Sequence, residues 1–180
     1  LKSLLFENKG LRQTITKNIF WLGVSHIGSR LIRAIIIIYA ARVLGATDYG
    51  IFSYALGLAA FFTIFADIGI GSIVTKEVAQ KPSKAQSYFA TGLGIKIVLL
   101  ALSSLLVIFL APHFSKIELA RPLFPLIALL IIFDNLRDLT NAFFRGRERM
   151  EYEAMVMLGM NIAIAIFGLI ALAFSPTAKV

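Results

Sequence analysis

The sequence predicts an all-α integral membrane protein: a polytopic helical bundle of about five transmembrane helices, with its N-terminus in the cytoplasm. Three observations predict this. Of 180 residues, 58% are hydrophobic, and mean hydropathy is +0.83, whereas a soluble domain is about 45–50% apolar. The apolar residues gather into five blocks, at roughly 18–44, 50–74, 86–112, 122–145 and 153–174, each about long enough to cross a ~30 Å hydrocarbon core. The blocks also lack period-two alternation and hold almost no proline. That favours helices, which satisfy their own backbone in lipid, over barrel strands.

Each element follows from local sequence. Residues 1–17 mix Leu4, Leu5, Phe6, Leu11 and Ile15 with Lys and Arg. This suits a cytoplasmic segment at the headgroups, whether a short interfacial helix or a disordered tail. The first apolar block ends at "GATDYG" (45–50), where Gly45 can stop a helix and Thr47 or Asp48 can cap the next. So short a link makes the first two spans antiparallel neighbours. The second block ends near Asp67, Gly69 and Gly71, where the glycines permit close helix approach or local unwinding. "TKEVAQKPSKAQ" (75–86) is polar and Pro82 breaks the helix. Two prolines bracket "PHFSKIELARP" (112–122) and mark helix ends. In "RGRERMEYE" (145–153), Glu148, Glu151 and Glu153 can pair locally with the arginines. Residues 175–180 form an external tail. The chain begins at Leu1 rather than Met and stops soon after the fifth block, which suggests a segment of a larger protein.

Charge sets the orientation. The N-terminal tail (Lys2, Lys9, Arg12, Lys17) and the second and fourth connections (Lys76, Lys81, Lys84; Arg145, Arg147, Arg149) carry ten basic residues on one side. The other side has Arg42, Lys116, Arg121 and Lys179, only four. The positive-inside rule makes the first side cytoplasmic. The net charge of +8 is thus spread along membrane connections, and nucleic acid is not an expected partner.

Other chemistries are excluded by supply. There is no cysteine, and His26 and His113 are the two histidines, so neither a thiolate nor a multi-histidine metal site is expected, nor any cofactor. No connection exceeds about a dozen residues, which leaves no loop for a conventional active site. No catalytic residue is assigned, and the chain reads as a transporter rather than an enzyme.

The informative residues are charges within the spans. A charge at mid-bilayer costs roughly 2.5–3.5 kcal/mol on insertion scales, so it must face a partner or water. In the first span His26, Arg30 and Arg33 follow i, i+4, i+7 and share one stripe, while Ile27, Leu31, Ile35 and Ile38 lie opposite. Arg30 is about 18 Å from residue 18 at 1.5 Å per residue, too deep for easy snorkelling. The stripe fits an anion-attracting cavity or ion pairs with acids on other spans. In the fourth span Asp134, Arg137, Asp138 and Asn141 form a second stripe, extended by Arg145. It fits a self-neutralised seam or a cavity wall meeting substrate or a coupling ion. Asp67 can pair with Arg30 or a cytoplasmic lysine, or act in transport. Lys96, near the middle of the third span, either faces a cavity or snorkels. Arginine in particular suits phosphate, which its planar fork can grip with two bonds.

"ARVLGATDYGIFSYALGLAAFFTIFADIGI" (41–70), "TKEVAQKPSKAQSYFATGLGIK" (75–96) and "FFRGRERMEYEA" (143–154), taken in order, resemble polysaccharide-export flippases of the multidrug/oligosaccharidyl-lipid/polysaccharide (MOP) superfamily. The resemblance implies two pseudo-symmetric helical bundles around a central cavity, worked by alternating access. This chain would supply about five helices of a first six-helix lobe, with further C-terminal helices completing the transporter. It also implies the cargo, a polyprenyl-diphosphate-linked oligosaccharide crossing the cell membrane for surface polysaccharide synthesis, and cavity arginines that meet its diphosphate. Arg30, Arg33, Arg137 and His26 are the candidate substrate contacts. Asp67, Lys96, Asp134 and Asp138 are candidates for charge pairing or for a coupling cation. Membrane lipids are further partners. Three alternatives stay open: a cation-coupled multidrug exporter of the same superfamily, a membrane-embedded polymerase or glycosyltransferase, and a non-transporting scaffold.

Overall fold

The computed structural model describes residues 10–174. The expected interfacial segment 1–17 lies mostly outside them, as does the tail 175–180. Among the described residues every regular element is helical, and there is no strand. We number the helices α1 (Leu11–Thr63), α2 (Ile70–Gln80), α3 (Ala85–Leu105), α4 (Phe124–Gly146) and α5 (Met150–Phe174). A π-helical stretch, Leu106–Leu110, and a last turn, Ala111–Phe114, extend α3. Three helical stretches are long and apolar enough to cross a membrane: Pro82–Phe114, Glu118–Gly146 and Met150–Ile170.

Two glycines redirect the chain. Within α1, Gly45 has φ 80° and ψ 168°, a backbone conformation essentially confined to glycine. It divides α1 into a first arm, 11–44, and a second, 46–63. Side-chain contacts show that the arms run in opposite directions. Lys17 meets Glu151 and Ser29 meets Asn161, so the first arm runs parallel to α5. Lys116 N donates to the Tyr54 hydroxyl, and Ser103 Oγ to the Phe62 carbonyl, so the second arm runs antiparallel to α3. The tight reversal expected from "GATDYG" is therefore present, without a separate capped helix start.

The second glycine interrupts the second apolar block. A short 3-10 turn, Ile64–Ala66, ends at Asp67, and Gly69 is left-handed with φ 76°. The block 50–74 is thus not one helix: α2 starts afresh at Ile70 and continues past Val74 to Gln80. Of the two outcomes that Gly69 and Gly71 allowed, unwinding occurs at Gly69.

The break separates two apolar cores. One gathers Ala55, Ala59 and Phe62 of α1 against Val107, Ala111, Phe124 and Ile127. The other packs Ile70, Val74 and Val78 of α2 against Ala85 and Leu139, with Phe89 and Phe143 in ring contact at 5.1 Å. At the break Asp67 pairs with Lys96. On the outside, Ile27, Leu31, Ile35 and Ile38 are all exposed, a surface that matches lipid rather than water.

Candidate functional site

The helices bring several ionisable side chains into pairs. At the break in the second block, Asp67 accepts an ion pair from Lys96 of α3, Nζ to Oδ1 3.4 Å. The Lys96 side chain is only 3% exposed. Lys96 therefore points into the bundle rather than toward the interface, and Asp67 takes it as partner rather than Arg30 or a lysine of the 75–86 connection. The reason is geometric: unwinding at Asp67–Gly69 turns the carboxylate toward α3, whereas the first arm of α1 packs on α5. Asp67 and Lys96 line a cavity of about 260 Å3 together with Ser72, Asp138 and Arg145.

On α4, Arg137 lies between two acids of its own helix. Its Nη1 is 2.8 Å from Asp134 Oδ1, and its Nη2 is 2.9 Å from Asp138 Oδ1. Nη1 also approaches Met160 Sδ of α5 at 3.6 Å. Arg145, about two turns nearer the helix end, is engaged by Glu153 of α5, with Nε to Oε2 2.8 Å. Glu153 is almost completely buried. Asn141 of the same stripe is buried, and its Oδ1 has no hydrogen-bond partner among the described residues.

The first arm of α1 has two polar faces. One is buried against α5 and carries Thr14, Asn18, Ser25 and Ser29. Here Asn161 Nδ2 donates to Ser29 Oγ at 3.2 Å, and Lys17 pairs with Glu151 at 3.0 Å, both side chains nearly inaccessible. Lys17, expected among the headgroups, thus closes an ion pair, and Glu151 finds this distant lysine instead of a neighbouring arginine. The other face carries His26, Arg30 and Arg33. All three are exposed, and none forms an ion pair with a carboxylate among the described residues. Ser29 and Arg137 touch consecutive residues of α5, Asn161 and Met160, so Arg30 and Arg137 stand at the same depth without touching each other.

Sequence reasoning missed two partnerships, Lys17 with Glu151 and Ser29 with Asn161, whereas the pairing of Glu153 with an arginine of its own connection, Arg145, is the one expected. The small residues Ser25, Gly28 and Ser29, at i, i+3 and i+4, were a usable signal for the contact of Ser29 with Asn161, because small residues let transmembrane helices approach closely. Among the described residues no group of acids and histidines is arranged to hold a metal ion.

A match to known families accompanies this geometry. The family described as polysaccharide biosynthesis protein matches residues 15–175, nearly the whole chain. The chain belongs to this polysaccharide biosynthesis family. It is therefore a multi-pass membrane protein of polysaccharide biosynthesis, in the MOP-superfamily flippase family that its ordered motifs resemble. The family is one of transporters rather than enzymes. No curated protein and no solved structure matches the chain.

Proposed function

We propose that the chain forms part of a flippase that carries a polyprenyl-diphosphate-linked oligosaccharide across the cytoplasmic membrane by alternating access. In this reading the blocks 18–44 and 50–74 also cross the bilayer, and the basic connections face the cytoplasm, as the positive-inside rule requires. One observation carries the substrate assignment. The acids that could have neutralised the first-span arginines are engaged elsewhere: Asp67 by Lys96, and Asp134 and Asp138 by Arg137. Arg30 and Arg33 thus keep a cationic stripe inside the membrane with no carboxylate of the described residues paired to it. Charge at such depth is costly unless a ligand or water meets it, and a diphosphate supplies the complementary charge and geometry.

The roles then divide. Arg30 and Arg33, with His26 beside them, attract the diphosphate. Arg137, at the same depth, is a reserve contact held in place by Asp134 and Asp138. The Asp67–Lys96 pair lies at the break in the second crossing, beside a polar cavity, where a coupling cation can compete with Lys96 for the carboxylate. A multidrug exporter would instead offer free acids to a cationic drug, whereas here Asp67, Asp134 and Asp138 are all paired and Arg30 and Arg33 are not paired with a carboxylate among the described residues.

The test is Arg30→Ala together with Arg33→Ala in the full-length protein, with surface glycan measured at matched expression. Export is expected to fall more than about tenfold, since hydrogen bonds to charged groups contribute roughly 1.5–3 kcal/mol each. Undiminished export would remove these arginines from the mechanism.

A further inference from the structure

The turn between α4 and α5 holds a second basic group with a different setting. Arg147 and Arg149 are both exposed, and neither forms an ion pair with a carboxylate among the described residues. Instead each guanidinium lies over an aromatic ring: Arg147 is 5.5 Å from the Phe143 centroid and Arg149 is 5.7 Å from that of Tyr152. Arg149 Nη1 also donates to the Tyr152 hydroxyl at 3.3 Å. With Phe144, which stacks on Tyr152 at 5.5 Å, these side chains line a recess of about 540 Å3.

The recess has a rigid floor. Glu148 adopts a left-handed backbone (φ 55°). Arg147 N donates to the Phe143 and Phe144 carbonyls, Glu148 N to Arg145, and Arg149 N to Phe144, at 3.0–3.2 Å. These bonds hold a conformation that a non-glycine residue rarely adopts. The turn also sits where two membrane-length helices end, which is headgroup depth. Ring faces steady a guanidinium without consuming its N–H donors, so Arg147 keeps its fork and Arg149 keeps every donor but the one given to Tyr152, while the aromatic wall suits glycerol or acyl carbons.

We propose that this recess binds the phosphate of a lipid at the membrane surface. The proposal rests on the membrane location of α4 and α5 and not on the flippase reading. The phosphate can come from an anionic phospholipid or from a polyprenyl diphosphate, and the experiment separates the two. Full-length protein would be titrated with phosphatidylglycerol and, separately, with polyprenyl diphosphate, and bound lipid counted by native mass spectrometry. The comparison is among wild type, Arg147→Gln/Arg149→Gln and, as a charge control, Arg121→Gln. The double variant is expected to lose about tenfold in affinity for one of the lipids, with the control unchanged. Loss of phosphatidylglycerol alone, with glycan export retained, assigns an annular phospholipid. Loss of the polyprenyl diphosphate at this turn assigns the cargo lipid. Wild-type affinity of the double variant for both lipids, or an equal loss in the control, overturns the site.

Discussion

The first arm of α1 and the inner half of α4 each carry an arginine at the same depth, Arg30 and Arg137, yet their electrostatics differ. Arg137 has Asp134 and Asp138 within 3 Å on its own helix. Arg30 and Arg33 have no acid on their arm, and the partner expected for Arg30, Asp67, belongs to Lys96. The difference lies in the sequence at i−3 and i+1, and in where the second block unwinds. It teaches that an arginine within an apolar block is informative only once its acids have been assigned. A clasped arginine stabilises a seam, whereas an unclasped one requires something from outside the chain.

The largest expected effect comes from breaking a pair in the closed regions. Lys17→Met strands the buried Glu151, and leaving one member of a buried pair costs roughly 3–5 kcal/mol. Thermal unfolding in detergent should therefore show a large drop, and Lys17→Met/Glu151→Met should recover most of it. Equal destabilisation by the single and double variants would show that Lys17 acts by packing rather than charge. By contrast, Arg30→Ala/Arg33→Ala should leave the unfolding temperature unchanged while removing export, because those side chains are exposed and hold no partner acid. A joint loss of stability and export would erase the distinction between the two regions.

Much of this fold was legible. Apolar blocks gave the helical class, and "GATDYG" gave the reversal at Gly45, because so few conformations fit a short link between antiparallel helices. Gly69 was legible as a choice between close packing and unwinding. Shortly before that break the Phe62 carbonyl accepts from Ser103 Oγ at 2.8 Å, 41 positions away, and contacts of that range are not written in local sequence. Partner choice was the least legible. Helical periodicity places charges on faces but does not say which helices adjoin. Thus Lys17 read as a headgroup residue until α5 was found beside it, and Asp67 was offered to Arg30 before α3 claimed it. Local pairs on one helix, such as Arg137 with Asp134 and Asp138, needed no tertiary knowledge and were readable from spacing alone.

A smaller effect tests whether the clasp matters. Asp134→Asn/Asp138→Asn keeps side-chain shape but removes both charges, making Arg137 resemble Arg30. Polyprenyl diphosphate should then bind about three- to tenfold more tightly, in line with the roughly 1.4 kcal/mol that separates a factor of ten. Each single variant should fall between. Unaltered binding by the double variant would mean that Arg137 faces a space the diphosphate does not enter.

The smallest effect concerns the neutral seam that holds the arginine stripe in register. Asn161→Ala removes the bond to Ser29 and also the contact of Asn161 Nδ2 with the Met157 carbonyl at 2.7 Å. Interhelical hydrogen bonds in membranes average about 0.6 kcal/mol, so unfolding should shift only slightly. Export should decline if this bond sets the rotation of the first arm, because Arg30 is the next residue along from Ser29. Ser29→Ala breaks the same bond from the other side and leaves the Met157 contact intact. If both variants lower export equally, the shared bond orients the stripe. If Asn161→Ala alone does so, the effect belongs to α5, and the arginines owe their direction to packing of Ser25 and Gly28 instead.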